Sequence, residues 1–301
     1  MINGIMNIYK EAGYTSHDVV AKLRGIVRQK KIGHTGTLDP DAVGVLPVCL
    51  GSATKLCDMI TDKSKEYEAL MRLGVTTDTQ DMSGRILTER AVDVGETEVE
   101  SAVMAFVGGY EQIPPMYSAL KVNGKKLYEL AREGREVERQ PRHVDITYIR
   151  ILSMNLPEVR FVVGCSKGTY IRTLCADIGK KLGCGAAMAQ LKRTRAGSFR
   201  VEDSITLAGV EELMRLGTYE EHIIAPDSIF MDCEGAAVKR EAERALLNGN
   251  KLQLRQLDFD SRAFFSDGDM LRVYSADREF RAVYTFVKSE GLFKPFKMFL
   301  E

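Results

Sequence analysis

Asp39 is the carboxylate that the chain's backbone is best placed to hold still. It lies in Gly33-His-Thr-Gly-Thr-Leu-Asp-Pro40. Glycine opens conformations closed to other residues there, and Pro40 drives Asp39 toward an extended conformation. The spacing predicts a tight loop, neither plain helix nor plain strand, with Asp39 flanked by His34, Thr35 and Thr37. An ordinary turn-capping aspartate has the same look, because Asp favours turns. A carboxylate so held can serve as nucleophile, general base or metal ligand. The metal role is disfavoured, since no second acid or histidine pair has suitable spacing. A nucleophilic carboxylate must stay ionised, which needs a cation or amide donors to offset burial. Arg172 is a suitable partner, because a guanidinium grips a carboxylate in a planar fork; taken alone it reads more readily as a surface or phosphate-contacting arginine. Tyr67 and Tyr170 are either core aromatics or platforms for a flat heterocycle, as where proteins stack extruded bases. Leu191 ordinarily reads as core. His34, on a glycine-flanked loop, suits a phosphate or ribose contact.

These residues need a scaffold. Residues 2–9 alternate as a short strand. Thr15-Ser-His-Asp18 opens a helix, with Ser16 as expected N-cap and Val19, Val20, Leu23, Ile26 and Val27 as its apolar stripe. The run Val43–Leu50 is an apolar anchor behind the Asp39 loop. Residues 64–74 alternate as a strand that places Tyr67, Ala69, Met71 and Leu73 on one face. A polar loop with Asp78 and Asp81 follows over 74–84. Thr97-Glu-Val-Glu100 reads as a capping box opening a helix through Val107, stopped by Gly108-Gly109. Residues 110–143 have few core formers, a Pro114-Pro115 break and a charged helix expected over 125–137; they read as an exposed arm that orders on a partner. Val159–Cys165 is a strand, and Arg172 falls near the start of a helix running to Lys181. A helix is expected around Val210–Leu216. Beyond a boundary near 235 come a helix (238–247) and short strands, clearest at 267–274 and 279–287.

At 301 residues the chain suits one large unit and one small one, and its 45% hydrophobic and 28% charged content is ordinary for a globular protein. No stretch is long and apolar enough for a membrane span, and the first residues do not read as a signal peptide, so a cytoplasmic location is expected. Six cysteines form no C-x-x-C pair and are expected reduced. The zero formal charge hides clusters: five cations and no acid over 22–31, four and none over 192–200, and seven against four over 121–142. Three such patches favour a polyanionic partner. The first runs straight into the Asp39 loop.

Five motifs in order carry a resemblance: Gly33-His-Thr-Gly-Thr-Leu-Asp-Pro40, Gly74-x-x-Thr-Asp-Thr-x-Asp81, Pro114-Pro-x-x-Ser-Ala-Leu-Lys121, Gly168-Thr-Tyr-Ile-Arg172 and Leu191-x-Arg-Thr-Arg-x-Gly-x-Phe199. Together they closely resemble the TruB family of bacterial pseudouridine synthases, which modify uridine 55 of tRNA. The resemblance implies an α+β pseudouridine-synthase fold with a mixed, largely antiparallel sheet flanked by helices. It places the catalytic unit at 1–234 and a small, mainly-β, PUA-like RNA-binding domain at 235–301. It implies Asp39 as nucleophile, Tyr67 stacking on the flipped uracil and removing its C5 proton, and Arg172 paired with Asp39. His34, Tyr170 and Leu191 would line the substrate site, with Lys10, Asp81, Lys121 and Arg193 also contacting substrate or RNA, and the arm would clamp the T-arm of tRNA. The family reaction needs no cofactor or metal. A monomer with no membrane and no obligate protein partner is expected. Two departures stand out: Glu11 follows Lys10 where the family has proline, and Asp41-Ala-Val-Gly44 replaces Leu-Ala-Thr-Gly. Asp41 would raise the nucleophile's pKa unless it faces solvent, which is the expectation. The rival readings are a non-catalytic RNA chaperone and a guide-RNA-dependent pseudouridylation subunit. Assistance with tRNA folding is compatible with catalysis.

Overall fold

The computed structural model describes residues 1–122, 124–259 and 264–300. Strand β1 (Gly4–Lys10) leads into helix α1 (Ser16–Ile26), which buries Val19, Val20 and Leu23. Its N-cap is Thr15 rather than Ser16. The Thr15 hydroxyl accepts from Asp18 N, and the Asp18 carboxylate accepts from Thr15 N at 2.8 Å, a reciprocal capping box. Ser16 turns inward instead, and its Oγ accepts from Leu38 N at 2.9 Å. Helix and Asp39 loop are thereby tied together.

The expectation of a loop from Gly33 is corrected at its start. Ile32–His34 form strand β2, paired with the edge of β3 (Val43–Leu50). The edge carries free backbone groups, and pairing satisfies them. The loop proper spans 35–42. Within it Gly36 has φ of +130°, a conformation that favours glycine. Helix α2 (Cys57–Thr61) precedes β4 (Lys65–Leu73), whose face of Tyr67, Ala69, Met71 and Leu73 is buried as the alternation requires. The polar 74–84 stretch contains a strand, β5 (Val75–Thr77), paired with β6 (Ile86–Glu89), so Asp78 and Asp81 sit in a hairpin turn.

Helix α3 (Glu96–Met104) begins after Gly95 without a side-chain cap, so the expected box at Thr97 does not form and the helix ends short of Val107. Strand β7 (Gly108–Gln112) follows. The chain then leaves the sheet through the small hairpin β8 (Lys121–Val122) and β9 (Lys125–Lys126) and helix α4 (Leu127–Arg132), returning as β10 (Arg142–Asn155). Helix α4 is shorter than the 125–137 expected, because Gly134 adopts a positive φ beyond it. Its Leu127 and Leu130 are buried while most of the arm is exposed. Gln112 and Arg142 pair at the neck of the arm.

Strand β11 (Glu158–Cys165), helix α5 (Ile171–Lys181), strands β12 (Ala186–Ala196) and β13 (Phe199–Arg200), and helix α6 (Leu207–Leu216) complete this part. Thr206 caps α6 by accepting from Gly209 N, which starts it earlier than expected. The main sheet runs β1-β3-β12-β4-β11-β10-β7, with β2 on β3 and β13 on β12. Its pairs are antiparallel except β3 with β12. That parallel contact is close: a Cβ at Gly44, whose φ is +104°, would lie 2.3 Å from Arg193 O. One sheet face packs on α3 and α5 around Tyr67, Met71, Phe161, Val163, Leu174 and Ile178. Strands β1 and β3 pack on α1 and α6 through Met6, Ile8, Leu46, Val19, Leu23 and Val210.

A second, six-stranded sheet is built from β14 (Glu234–Val238), β15 (Leu252–Gln253), β16 (Leu257–Phe259), β17 (Met270–Tyr274), β18 (Phe280–Val287) and β19 (Leu292–Met298), with helix α7 (Glu243–Leu247) beside it. The expected helix from 238 is corrected: Val238 is strand, paired with Leu257, and α7 starts only at Glu243. Val283 and Phe299 join Ile5, Val45, Cys49 and Phe230 in one cluster, which fastens the second sheet to the first. The architecture is α+β, with a mixed, largely antiparallel central sheet and a C-terminal β unit.

Candidate active site

Asp39 is anchored through its neighbours. Leu38 is buried in the core under the sheet face that carries Tyr67. Thr35 N and Oγ1 both donate to Pro47 O, at 3.1 and 3.2 Å. Across the loop, Lys10 Nζ donates to Pro40 O (2.8 Å), Ala42 O (2.6 Å) and Glu11 O (3.2 Å), and Lys10 is 0% exposed. Arg193 is also buried, with Nε donating to Val45 O at 2.6 Å and Nη2 to Gly36 O at 3.3 Å. Both cations were expected to contact RNA. The structure instead commits them to backbone carbonyls, which a charged donor satisfies strongly in a buried place. They position the loop.

Arg172 sits in the first turn of α5 and is buried. Its Nε meets Asp39 Oδ2 at 3.0 Å and its Nη2 meets Oδ1 at 3.2 Å, the two-point fork expected of such a pair. Nη2 also donates to Tyr117 O at 2.9 Å, and Nη1 to Thr79 O at 3.2 Å and Asp81 Oδ2 at 3.4 Å. Asp81 Oδ1 in turn accepts from the hydroxyls of Thr79 and Ser83. Asp81 therefore braces the arginine beside the site where a substrate or RNA contact is expected of it.

The Asp39 side chain remains 39% exposed, so it can still meet a ligand. Burial pushes its carboxyl above the ordinary range. Arg172 is the strongest influence in the other direction, Asp81 adds to the rise, Lys10 opposes it, and Asp41 adds least. Asp41 is exposed, as expected. Burial also pulls the Lys10 ammonium down to about 8, against the attraction of Asp39 and Asp41.

Tyr67 is 8% exposed on β4, opposite Val163 on one side and Arg193 on the other. Burial raises its phenol pKa, Arg193 lowers it, and the Asp39 charge is among the influences it feels. Leu191 faces the same buried cluster. Tyr170 immediately precedes α5 and is half-buried; burial raises its pKa, and it too feels Arg172 and Asp39. His34 is half-buried, its Nδ1 accepting from Gly36 N at 3.4 Å and its ring edge-on to His17 at 5.1 Å. Burial lowers its pKa, and His17 and Arg193 act in the same sense. Asp39, Arg172 and Asp81 are thus in direct contact, with Tyr67, Tyr170, Leu191 and His34 arranged about the same loop and helix end. Lys121 lies apart, exposed on β8.

One group is not signalled by the sequence. Gln112, buried on β7, meets the backbone of Tyr170, and nothing in its local sequence signals a contact 58 residues away. Lys10 shares the phase of Met6 and Ile8 on β1, whose two faces are both largely buried. The arrangement as a whole presents one held carboxylate, an arginine forked on it that opposes the rise of its pKa, and aromatics nearby. It suits nucleophilic attack on a carbon of a flat, ring-bearing substrate.

A family model described as TruB family pseudouridylate synthase (N terminal domain) matches residues 24–171, and one described as tRNA pseudouridylate synthase B C-terminal domain matches residues 172–236. A tRNA pseudouridine synthase B from Lachnoclostridium phytofermentans is 48% identical, covering 99% of this chain and 100% of the relative. Another from Alkaliphilus oremlandii is 49% identical over 83% of each. Among solved structures, a chain of an H/ACA RNP bound to a substrate RNA containing 2'-deoxyuridine superposes with a TM-score of 0.73 at 28% identity, covering 99% of this chain and 85% of that one.

Proposed function

The chain belongs to the TruB family of pseudouridylate synthases, and from that premise we propose that it acts on uridine 55 in the T loop of tRNA, with Asp39 as nucleophile. It is an isomerase of tRNA uridine. In the reaction the bond from ribose C1′ to N1 breaks, the uracil turns, and a bond from C1′ to C5 forms. The C5 proton leaves and N1 gains one, so there is no net oxidation. The base must first leave its stack, at a cost of a few kcal/mol, which contacts to RNA offset.

The observation that carries the reading is the Arg172–Asp39 fork around a partly exposed carboxylate. In our reading Arg172 keeps Asp39 ionised and aimed. Tyr67 stacks on the flipped uracil and takes up its C5 proton as its own hydroxyl proton passes on to water, and His34, Tyr170 and Leu191 shape the surrounding site. Lys10, Arg193 and Asp81 hold loop and arginine in place. Lys121 and the rest of the 110–143 arm grip the T-arm, and the cations of 22–31 contribute to the same electrostatic surface. Residues 1–234 act as the catalytic unit and 235–301 as a small RNA-binding unit. The protein works as a cytoplasmic monomer and also helps tRNA reach its fold. Among the described residues no helix is long and apolar enough to cross a membrane.

The test is tritium release from tRNA labelled at uridine C5, with no guide RNA, metal or nucleotide added. Release is expected from the wild-type chain and absent from Asp39→Asn, while the variant binds tRNA within a few-fold of normal. Full turnover by Asp39→Asn would overturn the assignment of the nucleophile. A requirement for guide RNA would overturn the choice of substrate.

A further inference from the structure

Helix α5 carries Arg172, yet its start has no side-chain cap of its own. The residue before it, Tyr170, is held from a distant strand. Gln112 Oε1 accepts from Tyr170 N at 2.8 Å, and Gln112 Nε2 donates to Tyr170 O at 3.1 Å. One amide side chain thus reads both polar groups of one backbone unit, as a neighbouring strand would. Gln112 Nε2 also meets the hydroxyl of Tyr110. Gln112 is buried, so its amide depends on these partners for its hydrogen bonds, while Tyr170 O also accepts from Leu174 N at 3.0 Å.

The position of Gln112 matters as much as its contacts. It is the last residue of β7, paired with Arg142 where the arm returns to the sheet. Five residues further on, the carbonyl of Tyr117 accepts from Arg172 Nη2 at 2.9 Å. The neck of the arm therefore straddles the start of α5. Gln112 fixes the backbone of Tyr170 at one end, and Tyr117 touches the catalytic guanidinium at the other.

We infer that Gln112 is a positioning residue for the isomerisation, which sets the Tyr170 backbone and through it the aim of Arg172 on Asp39, and so ties the arm to the chemistry. The inference rests on the reading of Asp39 and Arg172 given above. Without the Gln112 clamp, Tyr170 N loses its partner and Tyr170 O keeps only the bond from Leu174 N within α5, so the start of α5 can move relative to the Asp39 loop. A misplacement of about 1 Å in a catalytic constellation lowers the rate on the order of a hundredfold. The arm's own surface cations are untouched, so RNA affinity should hold.

The experiment compares wild type, Gln112→Met and Gln112→Glu. Methionine keeps the length and removes the polar contacts. Glutamate keeps the acceptor for Tyr170 N and, ionised, turns the donation to Tyr170 O into a repulsion. Single-turnover pseudouridine formation is measured with enzyme in saturating excess over tRNA, alongside the Kd for tRNA. Under those conditions a smaller folded fraction alone leaves the rate constant unchanged, so a merely structural role would not move it. Both variants are expected to lose on the order of tenfold to a hundredfold in rate constant, with Kd within about threefold of wild type. Normal rate constants in either folded variant would overturn the inference. So would a weakened Kd with a normal rate at saturation, which would assign Gln112 to RNA grip alone. Absence of pseudouridine from the wild-type chain itself would overturn the functional reading, an outcome distinct from normal wild-type turnover with unimpaired variants.

Discussion

Replacing Arg172 by lysine keeps a positive charge but removes the geometry. The guanidinium holds Asp39 at two points, 3.0 and 3.2 Å, while also satisfying Tyr117 O, Thr79 O and Asp81. An ammonium is a point donor and cannot span the two carboxylate oxygens while reaching both carbonyls. Hydrogen bonds to charged groups contribute about 1.5–3 kcal/mol each. Losing one from Asp39 and disturbing one more should remove about 2–4 kcal/mol of transition-state stabilisation, or about 30- to 1,000-fold in rate. The assay is single-turnover tritium release at saturating enzyme. Arg172→Met extends the argument through pH. Burial raises the Asp39 carboxyl and Arg172 is the main opposing influence, so its removal raises the carboxyl further. The reaction needs the carboxylate; the acid limb of the pH–rate profile must therefore move to higher pH, with part of the lost activity recovered there. Stability runs the other way: a carboxyl whose folded pKa is raised favours the fold while protonated and loses that contribution as pH rises through the folded value. A near-normal rate for Arg172→Lys, or an acid limb unmoved in Arg172→Met, would refute the reasoning.

Three further outcomes are expected. Tyr67→Phe keeps the buried ring and removes only the hydroxyl, so tRNA affinity should stay within about threefold while C5 tritium release slows by about a hundredfold or more; an unchanged rate would remove the phenol from proton transfer. Lys121→Ala, on the exposed β8, should weaken tRNA binding across sequences and reduce the slope of log affinity against log salt by about 1, with the saturated single-turnover rate unchanged; an identical slope would take this residue out of the RNA surface. Gly44→Ala places a Cβ 2.3 Å from Arg193 O at a φ of +104°. It should lower stability by about 2 kcal/mol or more, read as the denaturant midpoint, and a wild-type midpoint would show that β3 and β12 can separate freely.

Much of the fold was legible where a pattern is local. The alternation in 64–74 put Tyr67 with Ala69, Met71 and Leu73, and those residues share the buried face of β4. The glycine and proline spacing around Asp39 foretold a fixed carboxylate, and the loop is pinned from both sides. Element ends were less legible. The box expected at Thr97 and the helix expected from Val238 failed because neighbouring strands and glycines, rather than local propensity, set those boundaries.

Residue types and order alone determined the family, the α+β class and the groups able to do chemistry, because motif spacing and period-two alternation are written along the chain. Tertiary structure alone decided which charges face a ligand. Lys10 and Arg193 look like RNA-binding cations in sequence, yet both lie buried and donate to carbonyls of the Asp39 loop region. Arg172 reaches Asp39 across 133 residues and Gln112 reaches Tyr170 across 58. The physical reason is that hydrogen bonding and burial depend on distance through space, which the strand order fixes and the sequence separation does not reveal.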